Sequence, residues 1–229
     1  DDEDIIIDKK PSNLLKTITS APDGPRLVVN PDNDNMSFLF DEKELLIPST
    51  KIKALMDDLN TIFSSDTDTK VIIFSQWTTM LDYIEGLFVE NKWKLYKDYC
   101  RFDGRISTPL KEKALRFFNR EDGPRTMLIS LKCGGVGLNL TRANRVFMVD
   151  PWWNVAAEEQ AIDRVHRIGQ NRPVFVKRYI MHNSIEQKIL MLQESKSQMS
   201  NALLSDDYDP SKPLSNYKLN LEEIKLLFT

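Results

Sequence analysis

Two patterns of apolar residues alternate between residues 48 and 204, one typical of short buried strands and one typical of amphipathic helices. The run Val71–Ser75 predicts a buried strand, and apolar residues at helical spacing predict a helix up to about residue 62 that Ser49 or Thr50 can cap. The other predicted strands are residues 99–103, 126–131, 145–150 and 174–180, and the other predicted helices are residues 80–89, 109–119, 155–167 and 184–203. Because strands that alternate with helices pair in parallel through right-handed crossovers, the sequence predicts a three-layer α/β/α domain with a parallel central sheet.

The flanking segments lack this alternation. Residues 1–47 are rich in acidic side chains and contain four prolines, which predicts an acidic and mostly irregular extension. Residues 205–229 predict a linker followed by a short amphipathic helix over residues 219–228, a pattern that suggests the natural C-terminus. The predicted organisation is therefore an extension over residues 1–47, one domain over residues 48–204 and a tail over residues 205–229.

Charge is distributed unevenly along the chain, although the total is only −3. Residues 1–91 carry 8 Lys and Arg against 18 Asp and Glu, whereas residues 92–180 carry 18 against 9. A basic face of this kind can neutralise phosphates, or it can simply be solvated. The two cysteines, Cys100 and Cys133, form no CxxC pair, and no segment resembles a signal peptide or a membrane span. These features predict a soluble intracellular protein without disulfides or its own metal site.

Residues 163–170, with the sequence DRVHRIGQ, contain two arginines three positions apart. On a helix, Arg164 and Arg167 would point the same way, and guanidinium forks suit the charge that develops on a transferred γ-phosphoryl group. The alternative is an exposed basic helix whose arginines pair with nearby carboxylates. Spacing alone favours that alternative, so the function depends on the other motifs of the chain.

Glycines and hydroxyl residues cluster where the predicted strands end. Ligands of parallel sheets gather at the carboxyl ends of the strands. Glycines there let a phosphate backbone approach main-chain amides, and serines add hydroxyl donors. The residues concerned are Gly104, Gly134, Gly135, Ser75, Ser107 and Ser130. Several such residues at one edge indicate a surface that follows a nucleic-acid backbone.

Five ordered blocks together resemble the Snf-type (Swi/Snf-like) DNA translocases of helicase superfamily two. The blocks are VIIFSQ (71–76), FDGRIS (102–107), SLKCGGVGLNLT (130–141), DPWWN (150–154) and QAIDRVHRIGQ (160–170). The resemblance covers about residues 48–204 and implies the second, RecA-like lobe of the motor. Within the family, the chain looks most like the branch whose members carry a ubiquitin-ligase RING between the lobes, the SUMO-targeted ubiquitin-ligase type.

The resemblance also implies a set of site residues. Arg164 and Arg167 would be catalytic arginine fingers, and Gly137, Asn139 and Gln160 would face ATP. The implied DNA contacts are Ser75, Gln76, Gly104, Arg105, Ser107, Ser130, Lys132, Arg142, Trp152 and Trp153. One of the two tryptophans, more readily Trp153, is expected to be partly exposed beside Lys132 and Arg142, with the other mostly buried.

No stretch of the chain matches the phosphate-binding pattern G-x-x-x-x-G-K-[ST]. ATP with Mg²⁺ would therefore be bound mainly by a first lobe that this chain does not contain, and the chain alone should not hydrolyse ATP. The resemblance implies an ATP-dependent double-stranded-DNA translocase in the nucleus that remodels or removes DNA-bound proteins. Its expected partners are duplex DNA and the N-terminal RecA-like lobe of the same protein.

Two other functions fit parts of the sequence. A superfamily-two RNA helicase lobe shares the architecture, and a protein-interaction module without catalysis is compatible with the missing phosphate loop. Separately, Ile5–Ile7 lie between carboxylates in the run DDEDIIID, as in a SUMO-interaction motif that adds a strand to its partner's sheet. A strand or linker of the protein itself is the favoured interpretation of that run.

Overall fold

The computed structural model describes residues 16–18, 27–29, 48–133 and 137–203. The chain divides into two compact units, Asp1–Ile47 and Pro48–Thr229. In the first unit, β1 (Lys16–Ile18) pairs antiparallel with β2 (Leu27–Val29). The sequence pattern missed this pair because each strand has only three residues, too few to show a period. The predicted SUMO-type motif and the predicted tail helix lie outside the described residues.

The second unit is built on a parallel sheet of five strands. The strands are β3 (Val71–Ser75), β4 (Tyr99–Phe102), β5 (Thr126–Ser130), β6 (Arg145–Met148) and β7 (Phe175–Arg178). Their order across the sheet is β4-β5-β3-β6-β7, and every neighbouring pair is parallel. The predicted parallel sheet is therefore confirmed, with β3 at its centre.

In the part of the chain that the structure describes, five α-helices and one 3-10 turn connect and flank the strands. They are α1 (Thr50–Ser65), α2 (Thr78–Glu90), α3 (Thr108–Phe118), the 3-10 turn Leu131–Cys133, α4 (Val155–Ile162) and α5 (Ile185–Leu203). Ser49 caps α1 by accepting a hydrogen bond from Ile52 N. None of the described helices is long and apolar enough to cross a membrane.

The core occupies the two faces of the sheet, because successive strand residues point to opposite sides. Ile72 and Phe74 of the central strand pack in one cluster with Phe118 of α3, with Ala161 of α4 and with Val165 in the turns that follow α4. The alternate strand residues point to the other face. Helices α1 and α2 contribute further fully buried side chains, namely Ile52, Leu55, Leu59, Leu81, Ile84 and Phe88. The predicted three-layer α/β/α architecture is thus confirmed.

One helix prediction is wrong in length. The sequence predicts a helix over residues 155–167, but α4 ends at Ile162 and the next residues form turns. Two backbone carbonyls of the turns have partners outside the helix: Arg164 O accepts from Leu140 N (3.0 Å), and Val165 O accepts from Gln170 Nε2 (3.3 Å). These contacts draw the backbone out of helical geometry, so Arg164 and Arg167 do not lie on a helix.

Candidate nucleotide and DNA sites

The loops that follow β3, β4, β5 and β6 leave the sheet at one side, which we call the carboxyl edge. Ser75 pairs in register with Ser130, and Phe74 pairs with Met148, so these loops begin at nearly the same level. Nine of the ten residues predicted to contact DNA follow or end these strands: Ser75, Gln76, Gly104, Arg105, Ser107, Ser130, Lys132, Trp152 and Trp153. Chain topology therefore brings nearly the whole predicted DNA set to one edge.

Three of the residues predicted to contact DNA have buried side chains. Ser75 is 1% exposed, Ser130 is 2% exposed and Gln76 is 5% exposed. The Ser75 hydroxyl accepts a hydrogen bond from Trp77 N (3.0 Å) and also contacts the Asp150 carboxylate. Ser75 therefore ties the loop after β3 to the loop after β6.

The exposed part of the carboxyl edge includes Gly104, Ser107 and Lys132. A Cβ atom added at Gly104 would meet nothing within 4 Å, so this position opens to solvent. Ser107 precedes α3 in an extended conformation, and its hydroxyl makes no capping hydrogen bond. An amide, a hydroxyl and an ammonium group are all suited to contact the oxygens of a phosphate backbone.

Arg105 is held by carboxylates of its own lobe. Its guanidinium donates to Asp82 (2.5 Å) and to Asp103 (3.0 Å), and one third of its side chain is exposed. Behind it, the buried Arg101 also contacts Asp82 and Asp103 and forms an ion pair with Glu85. Burial alone would raise the pKa of Asp103, but Arg101 and Arg105 more than offset this and lower it. A phosphate that binds Arg105 must therefore compete with these carboxylates.

Arg142 lies on the opposite side of the sheet, which we call the amino edge, because it precedes β6 by three residues. It forms an ion pair with Glu121 (3.2 Å), which lies before β5. A cavity of about 120 Å³ there is lined by Arg142 together with Asp68, Lys70, Thr141, Gly169, Gln170, Asn171 and Arg172. The expected position of Arg142 beside the tryptophans is therefore wrong, since strand β6 separates them.

Trp152 and Trp153 are both half-buried, so the expected split into one buried and one exposed indole is not observed. Their ring centroids lie 5.7 Å apart, and Trp152 packs against the core cluster. The buried Glu158 carboxylate accepts a hydrogen bond from Trp152 N (2.8 Å). The Gln193 side chain of α5 contacts both Trp152 O and Glu158. The tryptophan loop is thus fixed to α4 and α5.

The two segments predicted to face ATP lie against each other. Besides the bond between Leu140 N and Arg164 O, Gln170 Nε2 donates to Thr141 O (3.0 Å) and Ala143 O (2.6 Å). Residues 137–143 and 163–170 are therefore joined by one backbone bond and by the Gln170 side chain, and we call the second of these ranges the arginine segment.

The predicted ATP-facing side chains lie at the surface of this assembly. Gly137, Asn139, Gln160 and Arg167 are exposed, and Arg164 is half-buried. Asn139 Oδ1 accepts from Thr141 N (3.2 Å) and Thr141 Oγ1 (2.9 Å), which orients its amide. Two guanidiniums and an oriented amide can stabilise the negative charge of a phosphate that another domain presents to them. Among the described residues, no group of three or more His, Cys, Asp or Glu side chains could hold a metal ion.

Four residues that matter in this geometry were not selected from the sequence: Trp77, Arg101, Glu158 and Gln170. Gln170 is the last residue of the block QAIDRVHRIGQ. Nothing in the sequence around it indicates that its side-chain amide binds the carbonyls of Thr141 and Ala143. Glu158 is one of the carboxylates near the arginines, and nothing in its local sequence indicates that it is buried beneath the tryptophan loop. Trp77 directly follows the block VIIFSQ, which is the signal that could have identified it.

Comparison with known proteins places this architecture in one family. Residues 50–169 match the family model of the helicase conserved C-terminal domain. The DNA repair protein RAD5 of Cryptococcus neoformans is 46% identical over 162 residues, which cover 70% of this chain and 13% of RAD5. The crystal structure of the C-terminal part of the Fun30 ATPase domain has a TM-score of 0.63 and 29% identity, covering 83% of this chain and 55% of that one. The Sulfolobus solfataricus SWI2/SNF2 ATPase core domain has a TM-score of 0.54 and 30% identity, covering 69% of this chain and 31% of that one.

The chain belongs to the helicase conserved C-terminal domain family, and it is a C-terminal lobe of the Swi2/Snf2 type. Within that type it falls in the branch of the RAD5 DNA repair proteins. The expected family and lobe are therefore confirmed. The chain spans less than a fifth of the length of the first curated relatives that it matches.

Proposed function

We propose that this chain is the C-terminal motor lobe of an ATP-dependent double-stranded-DNA translocase that remodels or removes DNA-bound proteins during DNA repair in the nucleus. Arg164 and Arg167 would supply arginine fingers, and the carboxyl edge would contact the DNA backbone. The observation that carries the proposal is the bonding of the arginine segment to residues 137–143, which brings the segment that contains Arg164 and Arg167 against the segment that contains Asn139.

The nucleotide would be shared between two lobes. Mg²⁺-ATP would be held mainly by a first lobe, because this sequence has no phosphate-binding loop. The arginine segment would act when the lobes close, since guanidiniums that meet the γ-phosphate in the transition state increase turnover more than ground-state affinity. Residues 137–143 run from the 3-10 turn at the carboxyl edge towards β6, which supports their proposed role in linking DNA contact to nucleotide turnover.

Substitution of the two arginines in the full-length protein tests this function. Arg164→Ala or Arg167→Ala should lower DNA-stimulated ATP turnover about 10³-fold, with a much smaller loss of nucleotide affinity. Arg→Lys should restore little, because an ammonium lacks the planar fork. Arg116→Ala, an exposed arginine in the last turn of α3, is the matched control.

Two results would contradict the proposal. Near-normal DNA-stimulated turnover in both alanine variants would show that Arg164 and Arg167 are not arginine fingers. Stimulation of the wild-type ATPase by RNA and not by duplex DNA would favour an RNA helicase lobe.

A further inference from the structure

Trp77 carries an exposed indole ring and is not among the predicted site residues. It lies two residues beyond the end of the central strand β3 and is 57% exposed. Large aromatic side chains are usually buried on folding, so an indole kept in solvent at a functional edge calls for an explanation. Trp77 is the N-cap residue of α2, and it makes no side-chain capping hydrogen bond that would explain its placement.

The backbone of Trp77 is fixed by the buried Ser75 hydroxyl. That hydroxyl accepts from Trp77 N (3.0 Å) and lies 3.1 Å from Trp77 O. It also contacts Asp150, the first residue of the DPWWN block. The loops after β3 and β6 are therefore bonded to each other directly beneath the tryptophans, which limits the motion of Trp77.

Trp77 is the outermost of three indoles arranged in a row. Its ring meets Trp152 edge to face at 85° with centroids 6.4 Å apart, and Trp152 contacts Trp153 at 5.7 Å. The two inner indoles are half-buried, while Trp77 is mostly in solvent. Because Glu158 and Gln193 hold the backbone of Trp152, the row is rigid and presents Trp77 at little further cost in conformational entropy.

A cationic side chain leaves the sheet at the same level. Ser75 and Ser130 are in register on adjacent strands, and Trp77 and Lys132 each follow two residues later. Both side chains are exposed. An exposed aromatic ring near a lysine is a common arrangement for nucleic acid, in which the cation meets the phosphates and the ring packs on sugars or base edges.

We propose that Trp77 is an aromatic residue of this lobe that packs against DNA. The contact is to deoxyribose and base edges, and the inner indoles support it from behind. The inference rests on the proposed function, because it requires DNA at the carboxyl edge.

Trp77 also borders a groove that has room for a protein side chain. Trp77 lines an apolar groove of about 420 Å³ together with Ser49, Ile52, Thr79, Met80 and Tyr83. A protein side chain from another lobe could enter this groove. DNA is favoured because Trp77 shares its edge with Gly104, Ser107 and Lys132, which are exposed and suited to phosphates.

The test measures duplex-DNA affinity of the full-length protein over a series of salt concentrations. Trp77→Ala should weaken binding about 10-fold, and Trp77→Phe should weaken it less, because a phenyl ring keeps part of the aromatic contact. The salt dependence should keep its slope, because no phosphate loses its cation. Val89→Ala, a 55% exposed apolar residue at the end of α2, is the control and should bind like wild type.

A second variant separates this inference from the proposed function. Lys132→Ala should weaken binding and also reduce the salt slope by about one unit. If Trp77→Ala binds DNA as tightly as the wild type while Lys132→Ala binds it more weakly, the role of Trp77 is overturned. The proposal that DNA binds at the carboxyl edge would still stand. Normal DNA affinity of Trp77→Ala with altered nucleotide turnover would assign Trp77 to a contact with another lobe, which also overturns the inference. Unchanged binding in both variants would count against the DNA edge itself.

Discussion

Single residues of this lobe often serve two elements at once, and Glu158 is the clearest case. Its carboxylate is fully buried and accepts hydrogen bonds from Trp152 N (2.8 Å), Gln193 Nε2 (3.0 Å) and Arg178 Nε (2.9 Å). These partners belong to the tryptophan loop, α5 and β7. A carboxylate in the first turn of α4 is also favoured by the helix dipole. One side chain thereby joins the loop at the carboxyl edge to the helix that leads into the arginine segment.

Loss of this carboxylate should be costly. Glu158→Ala leaves the Trp152 N–H without its acceptor and removes one partner each from the Gln193 amide and from Arg178, so we expect the free energy of unfolding to fall by about 3 kcal/mol. Urea denaturation of the chain measures this value. Glu159→Ala, an exposed neighbour on the same helix, should change it by less than about 0.5 kcal/mol. An equal effect of the two substitutions would show that the buried contacts of Glu158 contribute little.

Arg101 and Arg105 illustrate a different effect at the residue scale. Only Arg105 was selected from the sequence, as a DNA contact, yet both guanidiniums bind Asp82 and Asp103. Since Arg101 is 5% exposed, its role is to hold the acidic residues. The Asp82 and Asp103 carboxylates in turn orient Arg105 at the surface. Pre-ordering of this kind lowers the entropy cost of a later contact with phosphate.

At the scale of elements, the arginine segment depends on contacts at both of its ends. Leu140 N and Gln170 hold it to residues 140–143, and Arg172 follows directly with bonds to the loop before β3. Arg172 donates to Asp66 (2.7 Å) and to Asp68 (3.0 Å) in that loop. The segment is therefore fixed at the amino edge although it is not helical.

The link through Asp66 should depend on pH. Hydrogen bonds from Thr69 and from Asp68 N, together with Arg172, lower the pKa of Asp66 in the folded state. A carboxyl group with a lowered folded pKa contributes stability above its unfolded pKa, and this contribution is lost as the pH falls below about 4. Asp66→Asn should therefore be less stable than wild type at pH 7, and the difference should shrink towards pH 3.

Chemical denaturation at the two pH values measures the effect. Asp57→Asn, an exposed aspartate on α1, is the control and should follow the wild type at both. A constant difference between Asp66→Asn and wild type across this range would show that the Asp66 contacts do not depend on its charge.

At the scale of the whole molecule, the sheet separates two proposed tasks. The carboxyl edge carries the proposed DNA contacts, and the arginine segment, joined to residues 137–143, carries the proposed contacts to ATP. Each site is half of what a complete motor would need, because the nucleotide would be held mainly by another lobe.

The isolated chain should therefore bind duplex DNA with micromolar or weaker affinity that falls steeply with added salt, and it should not hydrolyse ATP. Fluorescence anisotropy of a labelled duplex and phosphate release measure the two properties. Measurable ATP hydrolysis by the pure chain would contradict a site that is completed by another lobe.

The sequence by itself determined the class of the lobe and the positions of its strands. The sequence patterns locate each strand of the sheet within three residues. For β3 to β6 the reason is that a buried strand needs a continuous apolar segment, whereas β7 is exposed along its length. The five motif blocks also indicated the family, and the order of strands and helices placed most of the motifs at one edge. These properties depend on local sequence, so they can be read from it.

Only the tertiary structure decided how individual side chains are used. The arginine segment leaves the helix because two groups bind its carbonyls: Leu140 N, which is distant along the chain, and the side chain of Gln170, the last residue of the segment. Ser75 turned out to be buried, Arg142 lies on the opposite edge, and Trp77 is the exposed indole. Burial and hydrogen-bond partners come from residues far apart in sequence, and a local pattern carries no information about which distant group will meet a given side chain.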